Sequence, residues 1–355
     1  MKILLFANTS WNLYNFRRGL ISQLIENKHT VYALCNDDRY SQLLKKDNVN
    51  IIDFKVSQKG KNLFREFITI FHLFLIIKKL KPKYILSFTI KPNLYSLIIS
   101  IFFNVKIINN ITGLGNTFIN KNFLTYLVIM LYKILLKRSH YILFQNNDDQ
   151  IYFEKKYLIV NKKYDVIPGS GINIKKFNQI KKTFSDKNKL KFIFCGRTIK
   201  EKGIYEYCKA SQMICKKNDY IEFYVLGFNN YEHLQEYKHI KFLNSNNYNK
   251  QMFINFDCVI LPSYREGLPR VLLEFGLMGV PSITTNVPGC RSIVKDNHNG
   301  FLCEPKSTKS LYDSICNFIN LSLTSRIKMS YNANQYVINN FDENIVISKY
   351  LSIIN

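Results

Sequence analysis

The chain has 355 residues, and one hydrophobic core rarely organises more than ~250–300, so two domains are expected. Hydrophobic residues make up 47% and charged ones 21%, with only 14 Gly and 8 Pro, which excludes a disordered, collagen-like or linker-type chain. Fifty Lys and Arg against 25 Asp and Glu leave a net charge of +25, a field that attracts nucleic acid, anionic lipid or phosphorylated small molecules without choosing among them.

In chain order, Met1-Lys2 leads straight into the apolar run Ile3–Ala7, too short for an export-signal core and followed by no small-residue cleavage site, so a cytoplasmic protein is expected. Short β-branched runs recur at Lys2–Asn8, Thr30–Cys35, Asn50–Val56, Tyr84–Ser87, Val105–Asn110 and Tyr141–Gln145, separated by segments of helical spacing such as Tyr14–Glu26 and Asn62–Leu80. That alternation predicts a parallel sheet with crossover helices. Phe67–Ile77, Leu94–Phe103 and Phe123–Leu136 are all shorter than the ~20 apolar residues of a membrane-spanning helix, so none is expected to span. Phe123–Arg138 ends in Lys133, Lys137 and Arg138, which fits a helix lying on an anionic membrane surface and equally a buried helix with a basic last turn.

After Val166–Gly171, residues 172–189 are rich in Lys and Asn and read as a linker. A second series of strand-like runs follows at Leu190–Cys195, Glu222–Leu226, Lys241–Leu243, Cys258–Leu261 and Pro281–Thr284, and Ser325–Asn340 and Glu343–Ile354 read as helices. The expected division is residues 1–172, residues 190–330 and a C-terminal stretch, 331–355, packing back on the first domain. Two doubly wound α/β domains would face a central cleft and bind ligands in loops at the carboxyl ends of their strands. The 8 cysteines show no Cys-x-x-Cys and no His at ligand spacing, which predicts reduced core thiols and no zinc site. Asp37-Asp38 and Asp148-Asp149 lack Asp-x-Asp spacing and read as helix caps; no metal is expected.

Two segments carry candidate chemistry. In Leu261–Glu274 a strand, a loop and a helix follow one another, with Pro269 suited to the helix start. The outward amides and dipole of such a start favour an anion. Glu266 and Glu274 lie eight positions apart, about two helical turns, and suit ligand hydroxyls such as those of a sugar or a ribose. In Phe194–Gly203, Arg197 and Lys202 flank a turn after a strand, between Gly196 and Gly203. A guanidinium and an ammonium so placed can hold a diphosphate and neutralise the charge that develops when it leaves. Each of these residues taken singly is more often plain surface charge.

Gly196-Arg197 with Lys202-Gly203, then Val225-Leu226-Gly227, then Pro262-Ser263-Tyr264-Arg265-Glu266-Gly267-Leu268-Pro269 ending in Glu274, then Met278-Gly279-Val280-Pro281 and Pro288-Gly289, resemble the donor half of retaining family-four glycosyltransferases of the two-Rossmann GT-B architecture. The resemblance covers most of residues 190–305. It implies that Arg197 and Lys202 bind the donor diphosphate, that Glu266 approaches the transferred sugar, and that Glu274 bonds the ribose. The main chain from Gly267 through Leu268 and Pro269 to Arg270 would complete the site, the amides of its non-proline residues facing the anion, with Gly196 and Gly227 beside it.

The first half resembles the same family more loosely. Ala7-Asn8-Thr9-Ser10-Trp11 and Tyr14-Asn15-Phe16-Arg17 look like bacterial polysaccharide-assembly members that add N-acetylhexosamine-type sugars. It departs from the family in having Asn8–Trp11 where many relatives have a glycine pair. It also has Ile111-Thr112-Gly113-Leu114-Gly115 where many have a histidine, so no catalytic His is carried over. Asn8, Thr9, Arg17, Lys91, Thr112 and Gly113 become candidates for the acceptor side, each weighed against ordinary turn or surface roles.

The resemblance implies transfer, with retention and without a metal, from a nucleotide-sugar co-substrate, UDP-linked, and no other cofactor. The acceptor would be a polyprenyl-diphosphate-linked saccharide met at the inner face of the membrane. A sugar-nucleotide epimerase of the same fold stays open as an alternative. An NAD-dependent oxidoreductase would need Gly-x-Gly-x-x-Gly after the first strand, where Asn8–Leu13 has no glycine. Nucleic acid is not an expected partner, since no recognition-helix or RNA-binding signature is present.

Overall fold

The computed structural model describes residues 1–56, 63–113, 123–156, 158–159, 162–177, 182, 189–227, 232–243 and 250–355, and Leu114 and Gly115 of the sequence reading lie outside them. The chain forms two units, residues 1–171 with 343–355, and residues 172–342.

The first unit runs β1 (Lys2–Phe6), α1 (Ser10–Glu26), β2 (Thr30–Cys35), α2 (Arg39–Lys46), β3 (Asn50–Asp53), α3 (Leu63–Leu80), β4 (Tyr84–Phe88) and α4 (Ile90–Ile99). It continues through β5 (Lys106–Ile111), α5 (Phe123–Leu135), β6 (Tyr141–Phe144), α6 (Asn147–Lys155) and β7 (Tyr164–Val166). The strands make one parallel sheet in the order β3-β2-β1-β4-β5-β6-β7. Helices cover both faces, so strands such as β4, buried along its whole length, are apolar runs without alternation. One face packs Leu73 and Ile77 of α3, Leu97 of α4 and Tyr132 of α5; the other packs Leu13 and Leu20 of α1 and Leu44 of α2.

The second unit runs β8 (Leu190–Gly196), α7 (Ile204–Cys215), β9 (Ile221–Gly227), β10 (Ile240–Leu243), β11 (Cys258–Leu261), α8 (Arg270–Leu277), β12 (Ser282–Thr285) and α9 (Cys290–Ile293). It ends with β13 (Gly300–Cys303), α10 (Thr308–Ile319) and α11 (Leu323–Asn340). Its sheet is again parallel, ordered β10-β9-β8-β11-β12-β13.

Two boundaries differ from the sequence reading. The described part of 172–189 belongs to the second unit: Ile172 and Phe177 are buried in its core, Ile172 bridges to Asp342, and Lys182 Nζ reaches Phe256 O at 2.7 Å and Asp257 at 3.0 Å. At the other end, residues 331–340 are the second half of α11, which packs on α8 within the second unit; Val337 lies against Gly276. Only the last helix, α12 (Glu343–Ile354), joins the first unit, where Val346, Ile347 and Tyr350 complete the core beside α1. The division falls where one helix stops completing one core and the next begins completing the other.

Candidate active site

In the second sheet the chain leaves β8 for β9 on one side and later returns as β11 on the other, so the order reverses between β8 and β11. Crevices beyond the carboxyl ends of strands at such a reversal are where doubly wound sheets take their ligands. Two loops frame this one, Gly196–Gly203 and Pro262–Pro269.

The loops are tied together. Lys202, in the single turn Lys200–Lys202, forms an ion pair with Glu266, both groups half-buried. Ser263 Oγ donates to the same Glu266 Oε1 at 2.7 Å. The Tyr264 amide donates to Glu201 O at 2.9 Å, and the Tyr264 hydroxyl to Glu206 Oε1 at 2.7 Å. Burial, then Glu206, push the Tyr264 phenol well up. Gly203, at φ +72°, lets the first loop turn into α7 against the second; a Cβ there would stand 2.0 Å from Pro262 O. Gly289 plays the same part on the far side, since a Cβ would stand 2.2 Å from Gly267 O. Thr284 Oγ1 bonds Leu261 O at 2.7 Å, and Thr285 bonds Ser263 O, so β12 supports the second loop from beneath.

Pro269 occupies the N-cap position of α8, one residue before the helix proper. Glu274, 8% exposed, accepts from Arg270 Nε at 3.3 Å one turn earlier. Arg270, expected to contribute its amide, therefore also holds the second carboxylate in place. Arg197 is exposed at the start of the loop after β8, and Gly196 and Gly227 are direct partners on β8 and β9, side by side at the carboxyl edge. Gly267 and Leu268 are half-buried in the loop before α8. Cys290, fully buried, feels burial first and Glu266 second, and its thiol is pushed up to about 12. It remains a protonated core group. Sequence reasoning left Ser263, Tyr264 and Glu206 without roles; the two hydroxyl groups in Pro-Ser-Tyr, beside a carboxylate, were the available signal.

The acceptor-side candidates all lie in the first unit. Asn8 lies in the loop after β1, and its Oδ1 is buried with no hydrogen-bond partner among the described residues. Thr9 caps α1, accepting from the Asn12 amide at 3.2 Å. Arg17 is 3% exposed with its guanidinium carbon 4.3 Å from the Phe88 ring centroid. Lys91 pairs with Glu66 at 2.6 Å. Thr112 and Gly113 follow β5, half-buried, with Gly113 at φ +99°. Asp38 caps α2 as expected, whereas Asp149 is buried beside the cap Asn146, which donates to it at 3.0 Å. No group of three or more His, Cys, Asp or Glu among the described residues is placed to hold a metal ion.

A model of the glycosyl transferases group 1 matches residues 175–336, and a glycosyl transferase 4-like model matches residues 2–146. The chain belongs to the glycosyltransferases. This glycosyltransferase is 25% identical, over 99% of its length and 98% of the other protein's, to N,N'-diacetylbacillosaminyl-diphospho-undecaprenol alpha-1,3-N-acetylgalactosaminyltransferase of Campylobacter jejuni. It is 24% identical, over 56% of its length and 55% of the other's, to UDP-Gal:alpha-D-GlcNAc-diphosphoundecaprenol alpha-1,3-galactosyltransferase of Escherichia coli. Its fold matches the crystal structure of Anabaena HepE in complex with UDP and glucose, with a TM-score of 0.78, 16% identity, and coverage of 100% of this chain and 99% of that one. The two Rossmann-like units of this glycosyltransferase are thus those of the GT-B fold.

Proposed function

We propose that this glycosyltransferase moves a hexose or N-acetylhexosamine from a UDP-linked sugar to a polyprenyl-diphosphate-linked saccharide, with retention, in the assembly of a bacterial surface polysaccharide. The observation that carries the reading is Lys202, held by Glu266 where the order of the second sheet reverses, with exposed Arg197 on the same loop. Breaking the anomeric C–O bond throws negative charge onto the leaving diphosphate. Lys202, Arg197 and the amides at the start of α8 meet that charge with fixed positive groups, the type of stabilisation worth most in a closed site. Since these groups already supply the compensation, the reading includes no divalent metal. Glu266 stands at the transferred sugar and Glu274 takes the ribose hydroxyls.

Retention follows from attack on the face the diphosphate leaves: the acceptor hydroxyl oxygen bonds to the anomeric carbon, the carbon–oxygen bond to the diphosphate breaks, and the hydroxyl proton passes to the departing phosphate oxygen. An α-linked donor then gives an α product, the linkage in the names of both relatives. Those names also supply the diphospho-undecaprenol acceptor. On this reading the enzyme works at the inner membrane face, where each Lys or Arg near anionic lipid adds about 1 kcal/mol of salt-screened attraction.

Incubation with UDP-sugar and acceptor, scored by product mass and by the anomeric coupling of the new bond, tests the reaction. An α product formed only with acceptor present is expected; an altered donor sugar without acceptor would make the protein an epimerase. Turnover undiminished by excess EDTA is expected, and activity lost to EDTA and restored by Mg²⁺ would remove the metal-free step.

A further inference from the structure

Helix α3 buries Leu73, Ile77 and Leu80 and turns its opposite side outward. On that side Phe64, Phe67, Ile68, Phe71 and Leu75 are exposed, Phe64 at 71% and Phe67 at 68%. Their spacing of 3, 4, 7 and 11 positions from Phe64 keeps them within a stripe of about 100°. Helix α5 repeats the arrangement: Val128, Tyr132 and Leu135 face the core, while Phe123 (83% exposed), Tyr126, Met130 and Ile134 face outward at 3, 7 and 11 positions. Helix α4 lies between them, touching both and itself almost wholly buried. Beyond its end lie exposed Ile101 and Phe102; the Phe102 ring stands 5.6 Å from Phe74 of α3, and Arg138, just after α5, donates to Ser100 O at 3.2 Å. Three pieces of apolar surface therefore share one side of the first sheet. Monomeric proteins rarely expose this many large apolar side chains on one side without a partner.

Charge selects the partner. Exposed Lys78 and Lys79 continue the α3 stripe, and exposed Lys133, Lys137 and Arg138 continue that of α5. The sole acidic side chain on either helix, Glu66, is turned inward onto Lys91. A second copy of a chain carrying +25 would press like charges together around the patch, whereas an anionic bilayer offers hydrocarbon to the rings and phosphates to the cations. We infer that the α3–α5 side of the first unit inserts its aromatic stripes into the interfacial region of an anionic phospholipid bilayer, so that the protein is held by buried apolar surface as well as by charge. This rests on the membrane-facing part of the proposed function and changes its expected behaviour, because apolar insertion survives salt.

Vesicles of phosphatidylglycerol and phosphatidylethanolamine, with phosphatidylcholine vesicles as the uncharged control, provide the probe. Wild-type protein should sediment with the anionic vesicles at low salt and keep a bound fraction in about 0.5 M NaCl, where screening reaches only a few ångströms. The variants Phe67→Ser/Phe71→Ser/Leu75→Ser and Tyr126→Ser/Met130→Ser/Ile134→Ser should lower that salt-resistant partition by tenfold or more, on the order expected for removing three apolar anchors. Both should keep the wild-type circular dichroism spectrum and turnover on a short-chain, water-soluble acceptor. Phe67→Trp should gain fluorescence that brominated lipid quenches. Complete release of the wild type by salt, with serine variants partitioning as it does and the added fluorescence of Phe67→Trp unquenched, would overturn the inference and leave a purely electrostatic attachment. A wild-type dimer in light scattering that either serine variant converts to monomer, without vesicle binding, would overturn it in favour of self-association. Failure of transfer to the soluble acceptor by the wild type would strike the proposed reaction instead.

Discussion

Lys202 and Glu266 neutralise each other across two loops, so neither can be removed without exposing the other's role. Lys202→Ala should cut turnover by ~10²–10³-fold, the usual loss when one fixed donor to a developing anion is deleted. It should leave a folded protein, because the pair is half-buried and Ser263 still bonds Glu266. Wild-type rate constants in a folded Lys202→Ala protein would refute its proposed part in diphosphate departure. Glu274→Gln keeps the size of the buried side chain, and isothermal titration with the donor should show weakened binding. Two glycines separate ligand demands from fold demands. Gly203→Ala should destabilise by more than about 2 kcal/mol in urea unfolding, because it combines a left-handed backbone with a clash against Pro262 O. At Gly196 a Cβ would meet nothing nearer than Leu261 Cδ1 at 3.8 Å, so the protein itself has room for alanine. If Gly196→Ala folds normally yet loses donor affinity, the ligand comes close to that backbone; unchanged affinity would remove Gly196 from the site.

At the scale of elements, the alternation of β-branched and helical segments announced two parallel sheets, and nearly every strand of the first unit coincides with a run visible in the sequence. The edge strands β7 and β13 escaped because Tyr164–Val166 is only three residues long and Gly300–Cys303 opens on a glycine and holds no β-branched residue. Helix α11 was legible as a helix, but its allegiance was not: packing against α8 is a tertiary fact that no local pattern encodes. The site divided similarly. Lys202, Glu266 and Glu274 stood out from their motifs, whereas the Lys202–Glu266 pair itself, 64 positions apart in sequence, needed the register of β8 against β11 to bring it together. The outward stripe of α3 was hidden for another reason. A helix apolar on both faces reads as core until burial shows which face is covered.

Across the whole molecule, the eight cysteines are free thiols. In Cys35, Cys208, Cys290 and Cys303 burial is the first cause that lifts the thiol from 9.0 to about 12. The folded chain therefore holds these protons while the unfolded chain gives them up above 9.0, so stability should be level below that pH and fall as pH rises toward about 12. Urea midpoints measured from neutral to alkaline pH check the sign; a midpoint rising over that window would contradict it. The same burial should leave these thiols unreactive toward disulfide reagents until the chain unfolds. Two sheets, each reversing its strand order once, and a net charge of +25 suit the proposed handling of a nucleotide sugar and a phosphorylated lipid. The most direct test offers uridine-diphosphate hexoses and N-acetylhexosamines to the enzyme with a polyprenyl-diphosphate-linked sugar and weighs the lipid product, with Lys202→Ala alongside. One added sugar in an α linkage, formed by the wild type and lost in the variant, is the expected result; no mass gain with any donor, or equal gain by both proteins, would contradict it.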